Sequence, residues 1–97
     1  MTVSTAMTIN STVRLSRDQV SCDLNGEAAI LNLKTGKYYG LDPVGATVWK
    51  LMEQPCTIES IREAMRQRYD VDAERCQSDL LELLEKLSAK GLIEVTG

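Results

Sequence analysis

The residues best suited to chemistry are few in this chain, and their spacing does not suit it. Its 97 residues include three cysteines, Cys22, Cys56 and Cys76, and no histidine. An odd number of widely spaced cysteines is not a disulfide framework. Without a CxxC pair or a histidine there is no tetrahedral set for a metal ion. Cysteine–histidine nucleophilic catalysis is excluded within the chain for the same reason. The three thiols are expected to be small, partly buried residues. Glu82 and Glu85 read as the solvated face of one helix, and Gly36 and Gly40 bracket a strand instead of forming a phosphate cradle. The expectation is a protein without catalysis, cofactor or metal.

What remains is recognition, and one stretch is organised for it. Gly36–Trp49, GKYYGLDPVGATVW, holds three of the chain's four aromatics, Tyr38, Tyr39 and Trp49. Adjacent tyrosines suit a pleated surface. Asp42-Pro43 then opens a helix: Asp is a good N-cap, and Pro at the first helical position loses no needed N–H. Val44, Val48 and Leu51 recur at helical spacing behind it.

The flanking sequence supplies the frame. Residues 1–11 are Ser/Thr-rich and aperiodic, which predicts a flexible tail ahead of a single domain over 12–97. Thr12–Leu15 is a short extended segment and Ser16-Arg17-Asp18 a turn. Gln19–Leu24 alternates as a strand, Asn25-Gly26 is a two-residue hairpin turn, and Glu27–Leu33 returns. Lys34-Thr35-Gly36 turns the chain into a third strand, Lys37–Leu41, which is expected to lie at an edge. Helices follow over Pro43–Glu53, from Thr57 as an N-cap to about Tyr69, and over Ala73–Lys90 with Asp72 as N-cap and Gly91 as C′ residue. On the last helix Ala73, Cys76, Leu80, Leu83, Leu84 and Leu87 form one apolar face, with Leu81 about 100° from Leu80 at its margin. Leu92–Val95 either pairs with the sheet or packs as a tail. Strands followed by helices in series make an α+β domain, a three-stranded antiparallel sheet followed by three helices in a winged helix-turn-helix-like arrangement.

Charge and hydropathy exclude other classes. The net charge is −3, and the last helix exposes Glu74, Asp79, Glu82 and Glu85 against Arg75, Lys86 and Lys90, a surface that repels phosphates. No nucleic acid and no membrane partner is expected. The N-terminus lacks a signal peptide's basic start and apolar core, and no run reaches membrane-span length. The chain reads as cytoplasmic. An edge strand protected by one lysine, beside a leucine-rich helix, is a good receptor for an added peptide strand. From the residues alone, Tyr38, Tyr39 and Leu81 either complete the core or line that receptor.

The run LNLKTGKYYGLDPVGATVWKLM, followed by TIESIREAMRQRYDVDAERCQSDLLELLEKLSAKGLI, resembles the PqqD-like family, the leader-peptide recognition domains of ribosomal peptide natural-product pathways. The likeness spans about Val20 to Ile93. Its elements are a G-x-Y-Y-x-L-[DN] strand, a G-A-x-x-W helix, a Y-D-V-D break and a D-L-L-x-x-L-x-x-L-x-x-[KR]-G-L-[IV] end. The resemblance implies that the leader of a precursor peptide adds as an antiparallel strand between the third strand and the third helix. It implies peptide-binding residues Lys37, Tyr38, Tyr39, Gly40 and Leu41 on the strand, and Cys76, Gln77, Asp79, Leu80, Leu81 and Leu84 on the helix. The short stand-alone form is most similar to the discrete recognition proteins of lasso-peptide pathways, whose partners are a leader peptidase and an asparagine-synthetase-like macrocyclase. A chaperone serving a radical-SAM enzyme in cofactor biosynthesis is the alternative, and a winged-helix DNA-binding protein the more distant one.

Overall fold

The computed structural model describes residues 7–96. Two three-stranded antiparallel sheets and three helices surround one core. Strands β1 (Thr12–Leu15), β2 (Gln19–Leu24), β3 (Glu27–Asn32) and β4 (Tyr38–Leu41) come first, then helix α1 (Pro43–Leu51). The two-residue β5 (Cys56–Thr57) leads into α2 (Ile58–Arg68), α3 (Ala73–Ala89) and β6 (Ile93–Thr96).

The meander β2-β3-β4 forms as the turn chemistry dictates. Asn25 (φ 55°) and Gly26 (φ 87°) both take the left-handed conformation that a two-residue hairpin needs. All three helices start on the expected caps: Asp42 accepts from the Gly45 N–H, Thr57 from Ser60 and Asp72 from Glu74. The helices α1 and α3 stop at Leu51 and Ala89, slightly short of the expected ends.

The second sheet, ordered β5-β1-β6, was not legible as such. The C-terminal residues do pair, but with β1 (Thr12↔Thr96 through Leu15↔Ile93) and not with the meander. β1 also holds β5, through Thr12↔Thr57 and Val13↔Cys56. The expected tail over 1–11 is docked from Met7 onward: Met7 packs against the core, the Ile9 carbonyl accepts from Glu59 N–H at 2.9 Å, and the Ser11 carbonyl accepts from Ile58 N–H at 3.0 Å. These bonds satisfy N–H groups at the α2 N-terminus that have no partner within the helix. The first six residues of that expected tail lie outside the described residues.

Aliphatic side chains fill the core, as a chain without Phe requires. Val13, Ile30, Met52, Ile58, Ile61, Leu84 and Leu92 are completely or almost completely buried. Trp49 joins them and donates its indole N–H to the Ser21 hydroxyl at 3.1 Å, so its one polar atom is satisfied. That bond and the packing of Val48 and Trp49 lay α1 across the inner face of the meander and fix where β4 runs into it.

Candidate peptide-binding groove

β4 pairs with β3 alone and forms one edge of its sheet. Its register is Ala28↔Leu41, Ala29↔Gly40, Ile30↔Tyr39 and Leu31↔Tyr38. Which backbone groups face outward follows from two hydrogen bonds. Asn32 N–H donates to the Lys37 carbonyl at 2.9 Å, and Leu33 N–H donates to the Asp18 carbonyl at 2.9 Å. Residue 32 of β3 therefore addresses β4, and residue 33 addresses the β2 side. Antiparallel pairs alternate between bonded and non-bonded, so Tyr39 and Leu41 bond to β3. The N–H and C=O of Tyr38 and Gly40 point away from the sheet, where no strand lies among the described residues.

Side chains on β4 also alternate. Tyr39 and Leu41 are half-buried and pack against the core, toward the helices. Tyr38 is 74% exposed on the opposite face, in one cross-strand row with Val20 and Leu31. Lys37 is exposed at the strand's start, with its N–H donated to the Thr35 hydroxyl.

Where β4 passes into α1, an apolar cleft of ≈ 530 Å³ opens between α1, the end of α2 and the first half of α3. Val44, Val48, Met65, Tyr69, Val71, Cys76, Leu80 and Leu83 supply its apolar wall, and Asp70, Asp72, Arg75 and Asp79 its polar rim. At the other end α3 closes on β4: the Lys90 ammonium lies 4.9 Å from the centroid of the Tyr39 ring.

The helix residues divide by flank. Cys76, Asp79 and Leu80 line the cleft. Leu84 is fully buried in the core and does not line the cleft. Gln77 is on the other flank, where its side-chain oxygen accepts from Arg62 of α2 at 2.8 Å. Leu81, one turn further, shares that flank by helical periodicity. The structure thus does not bring Gln77 and Leu81 to the cleft. Leu83, half-buried and 60° from Leu80 in the opposite sense to Leu81, stands there instead. Sequence reasoning also passed over Val44, although its position directly after Asp42-Pro43 places it beside the strand's exit.

The thiols of Cys56 and Cys76 are pushed up from the ordinary cysteine value by burial, which keeps them protonated. Their S–H groups face the Leu51 and Arg62 carbonyls. Cys22 is exposed. Among the described residues no cluster of metal-binding side chains occurs. The opposite sheet edge, β2, is different in character. Its neighbouring concavity of ≈ 450 Å³ is lined by Asp23, Glu27, Lys50, Glu53 and Arg68 among others. Asp23 there accepts from Gly26 N–H and from Lys50, which lower its pKa in that order.

An uncovered strand edge on the strand that runs into the wall of an apolar cleft is a geometry that can accept an added peptide strand. The family follows from comparison. The family described as "Coenzyme PQQ synthesis protein D (PqqD)" matches residues 27–93, and the chain belongs to that family. The structure of "TbiB1 in Complex with the TbiA(beta) Leader Peptide" is similar at 37% identity and a TM-score of 0.80, covering 84% of this chain and 94% of that one. The solution structure of the PqqD truncation of Methylobacterium extorquens PqqCD, described as a stand-alone RiPP recognition element, is similar at 25% identity. Its TM-score is 0.76, over 93% of this chain and 96% of that one. No curated protein sequence matches the chain.

Proposed function

We propose that this chain binds the leader region of a ribosomally made precursor peptide as an added antiparallel strand on β4. It then presents the attached core peptide to maturation enzymes and carries out no catalysis of its own. The observation that carries this reading is the register that turns the N–H and C=O of Tyr38 and Gly40 outward, on the strand that leads into Val44 at the cleft wall. The strand supplies main-chain affinity, and the cleft takes alternate leader side chains. The greater identity to the leader-bound TbiB1 than to the PqqD truncation (37% against 25%) favours a lasso-peptide pathway, with a leader peptidase and a macrocyclase as partners. The radical-SAM partnership is the second reading. We place this work in the cytoplasm; no helix among the described residues is long and apolar enough to cross a membrane.

Fluorescence anisotropy tests the reading. A labelled synthetic leader, from a precursor gene beside this chain's own, is expected to bind with micromolar or better affinity. The core peptide alone is expected not to bind, and duplex DNA to show no salt-dependent shift. Equal binding of leader and core would contradict leader recognition.

A further inference from the structure

Asn32, the last residue of β3, is 6% exposed, and its hydrogen bonds reach both walls of the groove. On the β4 side, its N–H donates to the Lys37 carbonyl and its own carbonyl accepts from Gly36 N–H at 2.8 Å. Its side-chain oxygen accepts from Lys34 N–H at 2.8 Å and from Thr35 N–H at 3.2 Å. These four bonds shape the turn that launches β4. On the α3 side, its side-chain N–H donates to the Lys90 carbonyl at 2.9 Å, 58 residues away in sequence.

Lys90 is the C-cap of α3. Gly91 follows at φ 72°, and the helix closes with Gly91 N–H to the Ser88 carbonyl and Leu92 N–H to the Leu87 carbonyl. The Lys90 carbonyl is left over by that closure, and Asn32 satisfies it. The same lysine extends its ammonium over Tyr39. The end of α3 and the start of β4 are therefore joined through one buried amide. At the cleft between Val44 and Leu83 the lining is mainly apolar, and the Cys76 thiol faces the Arg62 carbonyl only at 3.9 Å.

We infer that Asn32 is a positioning residue for leader recognition: it sets the spacing of the β4 edge from the α3 flank without touching the peptide. This rests on the strand-addition reading. A strand bonded to Tyr38 and Gly40 must also fit its side chains against Leu83, and the two walls must be at the right distance for both contacts at once. Fixing that distance before binding avoids an ordering cost at the moment of binding.

Asn32→Asp keeps the side-chain oxygen that accepts both turn N–H groups, removes the donor to Lys90 and sets a carboxylate oxygen against the Lys90 carbonyl in its place. Asn32→Ser carries no charge, and its hydroxyl can still accept from the turn. Both are expected to lose leader affinity by about tenfold, the scale of one buried hydrogen bond. Ile61→Val, which opens a small cavity in the core at α2, serves as the uncharged destabilised control for Asn32→Ser and is expected to leave affinity within about twofold of native. Residual dipolar couplings are expected to show β4 reoriented relative to α3 in the Asn32 variants and unchanged in Ile61→Val.

Folded Asn32 variants that bind as tightly as native, or lose no more than Ile61→Val does, would overturn the inference. So would rapid solvent exchange of the Asn32 side-chain amide in the native protein, a measurement that does not depend on any variant folding. The native protein is titrated first with its own leader and with the TbiA(beta) leader. If neither binds, it is the strand-addition reading that fails, since the Asn32 inference concerns only differences from native binding.

Discussion

Glutamate in place of Leu83 is expected to abolish tight leader binding in a domain that still folds, whereas glutamate in place of Leu84 is expected to unfold it. The two residues are neighbours in sequence but 100° apart around α3. Leu84 is completely buried in the core with Leu80 and Leu87. A carboxylate there has no partner and no path to water, and costs several kcal/mol. Small domains are stable by only about 5–15 kcal/mol in total, so that cost removes most of the margin. Leu83 is half-buried at the cleft wall, and a glutamate there can turn its carboxylate to solvent in the free protein. The loss of stability is expected to be about 1 kcal/mol. In the complex the leader would cover that carboxylate, and desolvating it is expected to weaken binding by about a hundredfold or more. Leu81→Glu, on the flank facing α2, is expected to leave leader affinity nearly unchanged. Thermal melts and anisotropy titrations on the three variants check this. If Leu81→Glu loses the leader and Leu83→Glu does not, the flank assignment is reversed.

The contrast between Leu81 and Leu83 shows where sequence reading stopped. The periodicity of α3 correctly gives one buried stripe, and both residues lie at its margins. Periodicity fixes angles about a helix axis but not which neighbour stands on which side. That information comes from long-range contacts, here Arg62 to Gln77 on one flank and Val44 beside Leu83 on the other. Local signals were legible for the opposite reason. Asn25-Gly26, Asp42-Pro43, Thr57 and Asp72 act within a few residues of themselves, and each does in the fold what its chemistry dictates. The second sheet escaped because β1 and β6 pair across some 80 residues, as the Arg14–Glu94 ion pair shows at 2.8 Å. Neither segment alone is long enough to announce a partner. The outward register of β4 was hidden too, since alternation along a strand says which residues share a face but not which backbone groups are already bonded. The bonds of Asn32 to Lys37 and of Leu33 to Asp18 settle it.

That register gives the second large effect. Proline at Tyr38 removes an N–H that no strand in the domain uses, so Tyr38→Pro is expected to fold with a melting temperature near native. It removes a donor the leader needs, and its ring obstructs the incoming strand. A lost main-chain bond of about 1 kcal/mol alone corresponds to roughly fivefold in affinity, and the obstruction adds to it. Gly40→Pro is expected to behave in the same sense. Tyr39→Pro differs, since the Tyr39 N–H is bonded to β3 and its ring packs on the core. That variant is expected to lose both stability and binding. Equal melting temperatures for Tyr38→Pro and Tyr39→Pro would contradict the register.

Backbone amide exchange read residue by residue, with and without the leader, tests the central claim most directly. In the free protein the Tyr39 N–H is expected to exchange slowly and those of Tyr38 and Gly40 quickly, because only the first is bonded within the sheet. On addition of a saturating leader, Tyr38 and Gly40 are expected to become protected, while Ser21 and Asp23 on the outer edge of β2 stay unchanged. Protection that appears along β2 instead, or a leader that binds without protecting either Tyr38 or Gly40, would contradict strand addition at β4.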